Sequence, residues 1–331
     1  MLTAHRPRLL LTWQHPNAAT TGYGALAVAI LAGATFTPLA KSLGSALSPL
    51  SLIFISELLS LAFVGMSFGL FPMVRQLVDC NRRTQLAILA IGVCSGVLGP
   101  FLWFTGLHYT TAVNASFFGK SDLVFLLFLA SALVRERLTP QHLIVCSIIL
   151  LGMIIIALQG FTASIVPQLG DVLIVASAFC YSLGSCIFRR YLSHIPPHLA
   201  VLGRTCTALA AFFLISPFLQ HPFIEEVMTF PSALVPMLVA FAFFSRFLNT
   251  FAFYIAADHL PIKIISPLTT FDVIVSVAIA SALLGERVLW FHAIGGACII
   301  IGNIALQYLG VHDDDEHVKR HAVERIAHRT A

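Results

Sequence analysis

Apolar runs about 20 residues long follow one another through most of this 331-residue sequence, and this feature restricts its fold more than any other. The hydrocarbon core of a bilayer is about 30 Å thick, so a helix needs roughly 20 apolar residues to cross it. Because the runs lack the alternation of barrel strands, helices are favoured over a β-barrel. We predict an all-α membrane protein with ten transmembrane helices. The predicted spans are 22–43, 50–70, 85–107, 113–134, 141–161, 169–188, 198–218, 232–255, 261–284 and 291–310.

The charge distribution predicts which ends of the chain lie in the cytoplasm. Only 10% of the residues are charged, so little of the chain remains for a soluble domain. With ten spans, fourteen of the nineteen lysines and arginines fall on the side of the N-terminus, as the positive-inside rule requires. We expect a protein of the cell (inner) membrane, with residues 1–21 and 311–331 as cytoplasmic tails. This distribution accounts for the net charge of +4 without a nucleic-acid partner.

The cysteines and the acidic tail give no sign of a metal or cofactor. Six of the seven cysteines fall inside predicted spans and none forms a C-x-x-C pair, which favours small packing residues. The tail segment from His312 to His321 contains histidines and acidic residues, but such a charged run is more often solvated. We predict no metal site and no cofactor.

An internal repeat is the most specific pattern in the sequence. The stretch "ASALVRER" at Ala130–Arg137 recurs as "ASALLGER" at Ala280–Arg287, with six of eight positions identical. The same offset of 150 residues pairs Ser116 with Ser266, Asp122 with Asp272, His142 with His292 and Gly152 with Gly302. Each copy, 22–161 and 169–310, holds five spans. Since five is odd, the copies must enter the membrane in opposite orientations, an arrangement that recurs in transporters.

These features resemble the drug/metabolite transporter superfamily, in its EamA-like branch. The resemblance rests on the two five-span halves and on "LLGER" or its variant at the end of the fourth span of each half, and it covers about residues 22 to 310. It implies a secondary transporter of small metabolites, often an exporter, with a central cavity between the halves. This sequence departs from the family in one respect. Where members often carry a basic residue early in the second span of each half, the second half has Arg204 but the first has Glu57.

Six ionisable residues lie within the predicted spans. An Asp, Lys or Arg costs about 2.5 to 3.5 kcal/mol at the centre of an inserted helix, so such residues should avoid lipid. We therefore expect these side chains to face one another or a hydrated cavity, and we predict that they bind substrate or couple its transport. They are Glu57, Lys120, Asp122, Arg204, Arg246 and Asp272.

Two hypotheses divide these charges between coupling and binding. Asp122 and Asp272, equivalent under the repeat, are candidates for proton exchange in a central pathway. Lys120, Arg204 and Arg246 are candidates for holding a carboxylate or phosphate of the substrate, and the opposite charges together suit a zwitterion such as an amino acid. The alternative is that the charges are permanently paired and only fasten helices together. Lys120 and Asp122 lie about 200° apart on a uniform helix, so one is expected to line the cavity and the other to bond a neighbouring span.

Other residues are expected to shape the cavity or the helices around it. The predicted cavity-lining residues are Trp103, Phe104, Asn114, Asn249 and Tyr254, with ordinary helix packing as the alternative. The pairs Glu136-Arg137 and Glu286-Arg287 end spans at the water interface and are interpreted as structural. Pro38, Pro100 and Pro267 lie inside apolar runs, where they either act as hinges or only kink the helices.

Motifs for other classes of protein are absent or incomplete. "FFGKS" at Phe117–Ser121 resembles the end of a phosphate-binding loop, but it lacks the first glycine and the preceding strand. No G-x-S-x-G or H-E-x-x-H motif occurs. We predict a secondary active transporter and not an enzyme, exporting a small polar or amphipathic metabolite, such as an amino acid or a drug-like compound, by alternating access, with protons as the candidate coupling ion. An integral membrane enzyme or a non-transporting scaffold is the alternative. One chain supplies both halves, so no oligomer is required.

Overall fold

The computed structural model describes residues 16–134, 139–159, 168–192, 195, 197–218, 221–260 and 262–309, and its regular elements are helices. Ten of these elements are numbered here as spans, and two short helices, Leu70–Val78 and Phe223–Thr229, lie between spans. The spans are α1 (Pro16–Ala34, continuing as Phe36–Leu43), α2 (Pro49–Phe68), α3 (Arg82–Tyr109), α4 (Ala112–Leu133), α5 (Pro140–Ala157), α6 (Leu169–Tyr191), α7 (Pro197–Ile215), α8 (Ser232–Ala257), α9 (Ile262–Thr269, continuing as Asp272–Leu284) and α10 (Trp290–Leu309).

The lengths of these helices confirm an all-helical membrane protein. Within the described part of the chain, nine helices are long and apolar enough to cross a bilayer. α7 is the exception, because its apolar stretch, Leu199–Ile215, is shorter than the others. The number of ten crossings therefore stays a prediction. Residues 1–15 and 310–331, which hold most of both predicted tails, lie outside the described residues.

Polar side chains fix where several spans begin. Asn81 accepts a hydrogen bond of 2.8 Å from the backbone N–H of Thr84 at the start of α3, and Thr111 accepts one of 3.0 Å from Asn114 at the start of α4. Such caps satisfy backbone donors that have no partner inside the helix. At the start of α2, Pro49 occupies the first turn, where a missing N–H costs nothing.

The internal repeat found in the sequence has matching contacts in three dimensions. A Cβ atom on Gly152 would lie 2.9 Å from Ile299, and a Cβ atom on Gly302 would lie 2.5 Å from Ile149. These contacts, both between α5 and α10, are related by the 150-residue offset. The start of each helix shows the same correspondence, because Nδ1 of His142 accepts the backbone N–H of Thr139 just as Nδ1 of His292 accepts that of Leu289.

The two halves interlock instead of lying side by side. α1 and α2 of the first half pack against α8, the third span of the second half. In the same way, α6 and α7 pack against α3, the third span of the first half. α4 and α9 meet between these two groups. The centre of the molecule is therefore built from both halves, and buried polar residues there lie at the interface between them.

Irregular turns interrupt five spans near the middle of the molecule. α4 tightens into a 3₁₀ turn at Gly119–Ser121, and α9 breaks at the matching position, between Thr269 and Asp272. α1 breaks at Thr35, while α3 and α8 each widen into a π-helix, at Gly92–Leu98 and Phe241–Leu248. Broken helices and π-bulges often mark functional sites, and in transporters they surround the substrate.

The three candidate hinge prolines lie beside these irregular segments. Pro38 follows the break at Thr35 by three residues, Pro100 follows the π-helix of α3, and Pro267 precedes the break in α9. Proline removes a backbone donor and bends a helix, which accounts for the position of these breaks. Their role as hinges stays a prediction.

Replacing Gly152 with alanine should destabilise the packing of α5 against α10. A Cβ atom there would lie 2.5 Å from the carbonyl oxygen of Gly295, a backbone atom that cannot move aside. We expect a loss of about 1 to 3 kcal/mol, seen as a lower melting temperature in detergent. Gly24→Ala is the matched control, because nothing lies within 4 Å of its Cβ position. Equal melting temperatures for the two variants would contradict this close approach.

Candidate functional site

A cavity of about 170 Å³ lies where the irregular segments of α1, α4 and α9 meet. Phe36 of α1, Trp103 of α3 and Tyr181 of α6 contribute aromatic walls. The polar part of the lining consists of Thr37, Trp103, Ser116, Lys120, Asp122, Tyr181, Asp272 and Ser276. Both halves of the chain therefore contribute polar side chains to this cavity.

Three charged side chains meet in this cavity. Lys120 Nζ lies 2.8 Å from Oδ1 of Asp272 and donates a hydrogen bond of 3.1 Å to its Oδ2. Asp122 lies on the same wall as Lys120, but its buried Oδ1 has no hydrogen-bond partner among the described residues. The ammonium group of Lys120 is paired with Asp272 and lies near Asp122, so the three side chains together carry one formal negative charge. A buried polar atom without a partner is rare in proteins and is typical of a site completed by water, an ion or a ligand.

The helix breaks explain how these side chains reach one wall. On a uniform helix Lys120 and Asp122 would diverge, but the 3₁₀ turn at Gly119–Ser121 alters their angular spacing, and both line the cavity. Lys120 also bonds the neighbouring span α9. Asp122 and Asp272 each lie in the first turn of the helix segment that follows a break, where the helix dipole favours a negative charge. The repeated aspartates thus occupy equivalent positions.

Side chains from two other spans, α10 and α6, hold the interrupted segments of α4 and α9 in place. Asn303 of α10 donates a hydrogen bond of 3.4 Å to the carbonyl of Lys120, and Gln307 donates one of 3.1 Å to the hydroxyl of Thr270. Ser182 of α6 donates one of 2.6 Å to the carbonyl of Asp122. In a membrane interior, backbone groups freed by a break need such partners. The cavity wall is therefore supported on both sides.

The remaining predicted charges form a second buried group. Glu57 is fully buried, and its Oε1 lies 3.0 Å from Nη1 of Arg246 and 3.6 Å from Nη2 of Arg204. Thr205 donates a hydrogen bond of 2.7 Å to its Oε2. Two arginines share one carboxylate, so this group carries one surplus positive charge. The reversed charge at Glu57, noted in the sequence, therefore places a counter-ion between two arginines.

Phe36 connects the two charged groups. Its ring lies 5.4 Å from the guanidinium carbon of Arg246, within the range of a cation–π interaction, and it also lines the central cavity. The ring is 5.8 Å from that of Trp103, whose indole N–H is buried without a partner among the described residues. An aromatic wall thus separates a negative group from a positive one.

Four of the five predicted cavity-lining residues have described side chains, and these lie at different sites. Trp103 lines the central cavity, and Phe104 packs behind Phe36 with its ring 5.9 Å from Arg246. Asn249 donates a hydrogen bond of 2.8 Å to the carbonyl of Ala29. Asn114 lies at the start of α4, lining a separate cavity of about 200 Å³. The side chain of Tyr254 lies outside the described residues.

Several residues near the cavity were not anticipated from the sequence. Tyr181 and Phe36 line it, and Ser116 bonds Ser276 at 2.9 Å where α4 meets α9. Asn303 is fully buried. A polar amide inside an apolar run was a usable signal for Asn303, whereas nothing in the local sequence distinguishes Phe36 from other phenylalanines.

No group of three or more histidine, cysteine or acidic residues in the described ranges is arranged to hold a metal ion. The tail segment from His312 to His321 lies outside them. The repeated Glu-Arg pairs are interpreted from the sequence as structural. In the second half, Glu286 contacts the start of α4, which agrees with that interpretation. In the first half, Glu136 and Arg137 lie outside the described residues.

Comparison with known proteins agrees with this architecture. Over 70% of its length, the chain is 25% identical to an uncharacterized transporter of Methanothermobacter thermautotrophicus, covering 66% of that relative. It is 22% identical over 84% of its length to the uncharacterized transporter YyaM of Bacillus subtilis, covering 90% of that protein. A solved structure, described only as a crystal structure of a protein, has the same fold, with a TM-score of 0.58 and 20% identity over 88% of this chain and 96% of that one.

The family comparison accounts for both halves of the chain. The EamA-like transporter family matches twice, over residues 20–158 and 168–307. The two matches cover most of the sequence, and the predicted resemblance to this branch of the drug/metabolite transporters is confirmed. From the two charged groups inside the helix bundle, the interlocked halves and these matches together, it follows that this multi-pass membrane protein is a transporter belonging to the EamA-like transporter family.

Proposed function

We propose that this protein is a secondary active exporter of a small zwitterionic or amphipathic metabolite, with the central cavity as its substrate site. The observation that carries the proposal is that two cavity-lining residues each have a buried polar atom, Oδ1 of Asp122 and Nε1 of Trp103, without a hydrogen-bond partner among the described residues. One is an acceptor that attracts a positive group, and the other is a donor. A substrate amine and a polar oxygen would satisfy both.

Size and charge favour a small zwitterion. The cavity of about 170 Å³ is smaller than the roughly 300 to 1,000 Å³ of drug-sized sites, which favours a solute the size of an amino acid over a large drug. The net negative group at Asp122 suits an ammonium group. The net positive group at Arg204 and Arg246 lies behind Phe36 and suits a carboxylate if that ring moves aside. We place both termini in the cytoplasm of the cell (inner) membrane, as the distribution of basic residues favours.

Substrate counterflow in proteoliposomes tests the proposal. Vesicles loaded with an unlabelled amino acid should accumulate the labelled one, and a screen across neutral, acidic and basic amino acids identifies the preferred class. A membrane scaffold would show no counterflow, and an enzyme would release a chemically altered product. Absence of counterflow for every zwitterion and amphipath tested would contradict the proposal.

Proton coupling is assigned to Asp122, with Asp272 as its equivalent in the repeat. Because asparagine cannot take up or release a proton, Asp122→Asn should abolish the accumulation driven by a pH gradient. Counterflow at constant pH should be weaker, since the charge facing the substrate amine is lost, but still measurable, since the amide oxygen accepts a hydrogen bond. Uptake of labelled substrate with and without the gradient measures both. The control is Asp79→Asn, which changes an exposed aspartate at the end of the Leu70–Val78 helix. Unchanged pH-driven uptake in a folded Asp122→Asn protein would contradict proton coupling at this residue.

A further inference from the structure

The glutamate of the repeated motif makes an unusual contact in the second half. Gly285 ends α9 in the left-handed conformation, with φ of 68°, and turns the chain so that Glu286 reaches the start of α4. There, its Oε1 accepts the backbone N–H of Ala112 and its Oε2 accepts that of Val113, both at 2.8 Å. A single carboxylate thus caps a helix of the other half with two bonds.

The local environment makes this contact strong. Ala112 and Val113 are fully buried or nearly so, so their N–H groups have no easy access to water when the carboxylate leaves. Hydrogen bonds to an ionised carboxylate are stronger than neutral ones, and the positive end of a helix dipole adds to them. The contact therefore resists separation of the end of α9 from the start of α4.

Other polar contacts lie at the same end of the bundle. Nε2 of His292 in α10 bonds Oδ1 of Asn114 in α4 at 2.9 Å. Thr110, after α3, donates a hydrogen bond to Asp171 in α6, and Lys41 of α1 donates one of 2.9 Å to the carbonyl of Thr110. We call the set the polar belt. Its members are Lys41, Thr110, Asn114, Asp171, Glu286 and His292, and their contacts connect α1 with α3 and α6, and α4 with α9 and α10.

The polar belt lies at the end of the bundle where α4 begins and α9 ends, about one to three helical turns away from the central cavity. Along α4 the chain runs from Ala112, in the Glu286 contact, past Ser116 to Lys120 in the cavity. Along α9 it runs from Asp272 in the cavity past Ser276 to Glu286. Ser116 and Ser276 bond each other between these points. If the cavity opens toward this end between α4 and α9, their separation breaks both bonds of Glu286.

We propose that Glu286 is a positioning residue for alternating access, whose bonds to α4 hold the cavity closed on this face and must break once in every transport cycle. The proposal rests on the proposed transport function. By the predicted topology this face is the outer one, so the contact is made while the cavity is closed to the outside. The role differs from substrate binding, because Glu286 does not line the central cavity.

Labelling of a cavity thiol from each side of the membrane tests this role. The reporter is Ser276→Cys in a background without the seven native cysteines, since a thiol is close in size to the hydroxyl it replaces. A membrane-impermeant methanethiosulfonate reagent is applied to either face, and the labelling rate is compared with and without Glu286→Ala. Because two charge-assisted hydrogen bonds are lost, we expect the rate from the Glu286 face to rise roughly tenfold or more.

Two further variants separate this role from a general loss of structure. Glu226→Ala is the matched control, because Glu226 accepts the backbone N–H of Ser48 at 3.1 Å at the start of another span but takes no part in the polar belt. Its labelling rate should not change. Glu286→Gln keeps the shape and one acceptor oxygen, so its rate should fall between those of the parent and Glu286→Ala. If Glu286→Ala does not fold, Glu286→Gln alone should still be labelled faster than the parent from the Glu286 face.

The outcomes distinguish the possible roles of Glu286. Faster labelling only from the Glu286 face supports the proposal. An unchanged rate, or an equal rise from both faces, would overturn it in favour of a helix cap that only adds stability. Labelling needs neither a substrate nor an ion gradient, whereas counterflow with the parent protein tests the transport function separately.

Discussion

Replacing Glu57 with leucine should lower the free energy of unfolding by about 3 to 5 kcal/mol, the usual cost of removing one partner from a buried ion pair. Glu57 is fully buried and is the shared counter-ion of Arg204 and Arg246. Without it, Arg246, only 7% exposed, keeps its charge but has no carboxylate beside it. Thermal or denaturant unfolding of the purified protein in detergent measures the loss.

Two matched variants show whether charge causes this effect. Thr205→Val removes one hydrogen bond to the same carboxylate and should cost about 1 kcal/mol. Combining Glu57→Leu with Arg246→Leu removes the carboxylate and the more buried of its two arginines, so the double variant should be more stable than Glu57→Leu alone. If the double variant is the less stable of the two, packing around Glu57 and not its charge would account for the effect.

Replacing Lys120 with alanine should reduce counterflow roughly a hundredfold, because loss of one partner of a hydrogen-bonded charge pair costs about 2 to 5 kcal/mol when the pair is buried, and this part-buried pair is expected near the lower end of that range. The lysine is the ammonium group shared by Asp272 at 2.8 Å and the nearby Asp122 in the cavity wall. Its loss leaves two carboxylates in one small cavity, and one of them must then bind a proton or a cation. The initial rate of labelled-substrate exchange measures the effect.

Two further experiments serve as the control and the rescue for Lys120→Ala. Arg83→Ala removes an exposed positive charge near the start of α3 and should leave counterflow unchanged. Exchanging the two charges, as Lys120→Asp with Asp272→Lys, should restore part of the activity that either change alone removes. Full activity of Lys120→Ala would show that the charge pair only fastens α4 to α9.

The sequence predicted the helices and the duplication because both leave local or periodic patterns. Apolar runs of about 20 residues indicate spans whatever their neighbours are. The offset of 150 residues predicted that Asp122 and Asp272 are equivalent, and each lies just after a helix break. It also paired His142 with His292, which accept backbone N–H groups in the same way. Duplicated segments with similar side chains adopt similar local structures.

The pairing of the buried charges was decided by the tertiary structure alone. Glu57 meets Arg246, 189 residues away, and Lys120 meets Asp272, 152 residues away. Asn114 lies beside His292 at the polar belt, although the sequence predicted it in the central cavity together with Trp103. A span that is apolar on all sides carries little information about which face points inward. The rotation of each helix, and with it the partner of each charge, is therefore fixed only when ten helices pack against one another, because unpaired charges in a membrane interior are too costly to leave facing lipid.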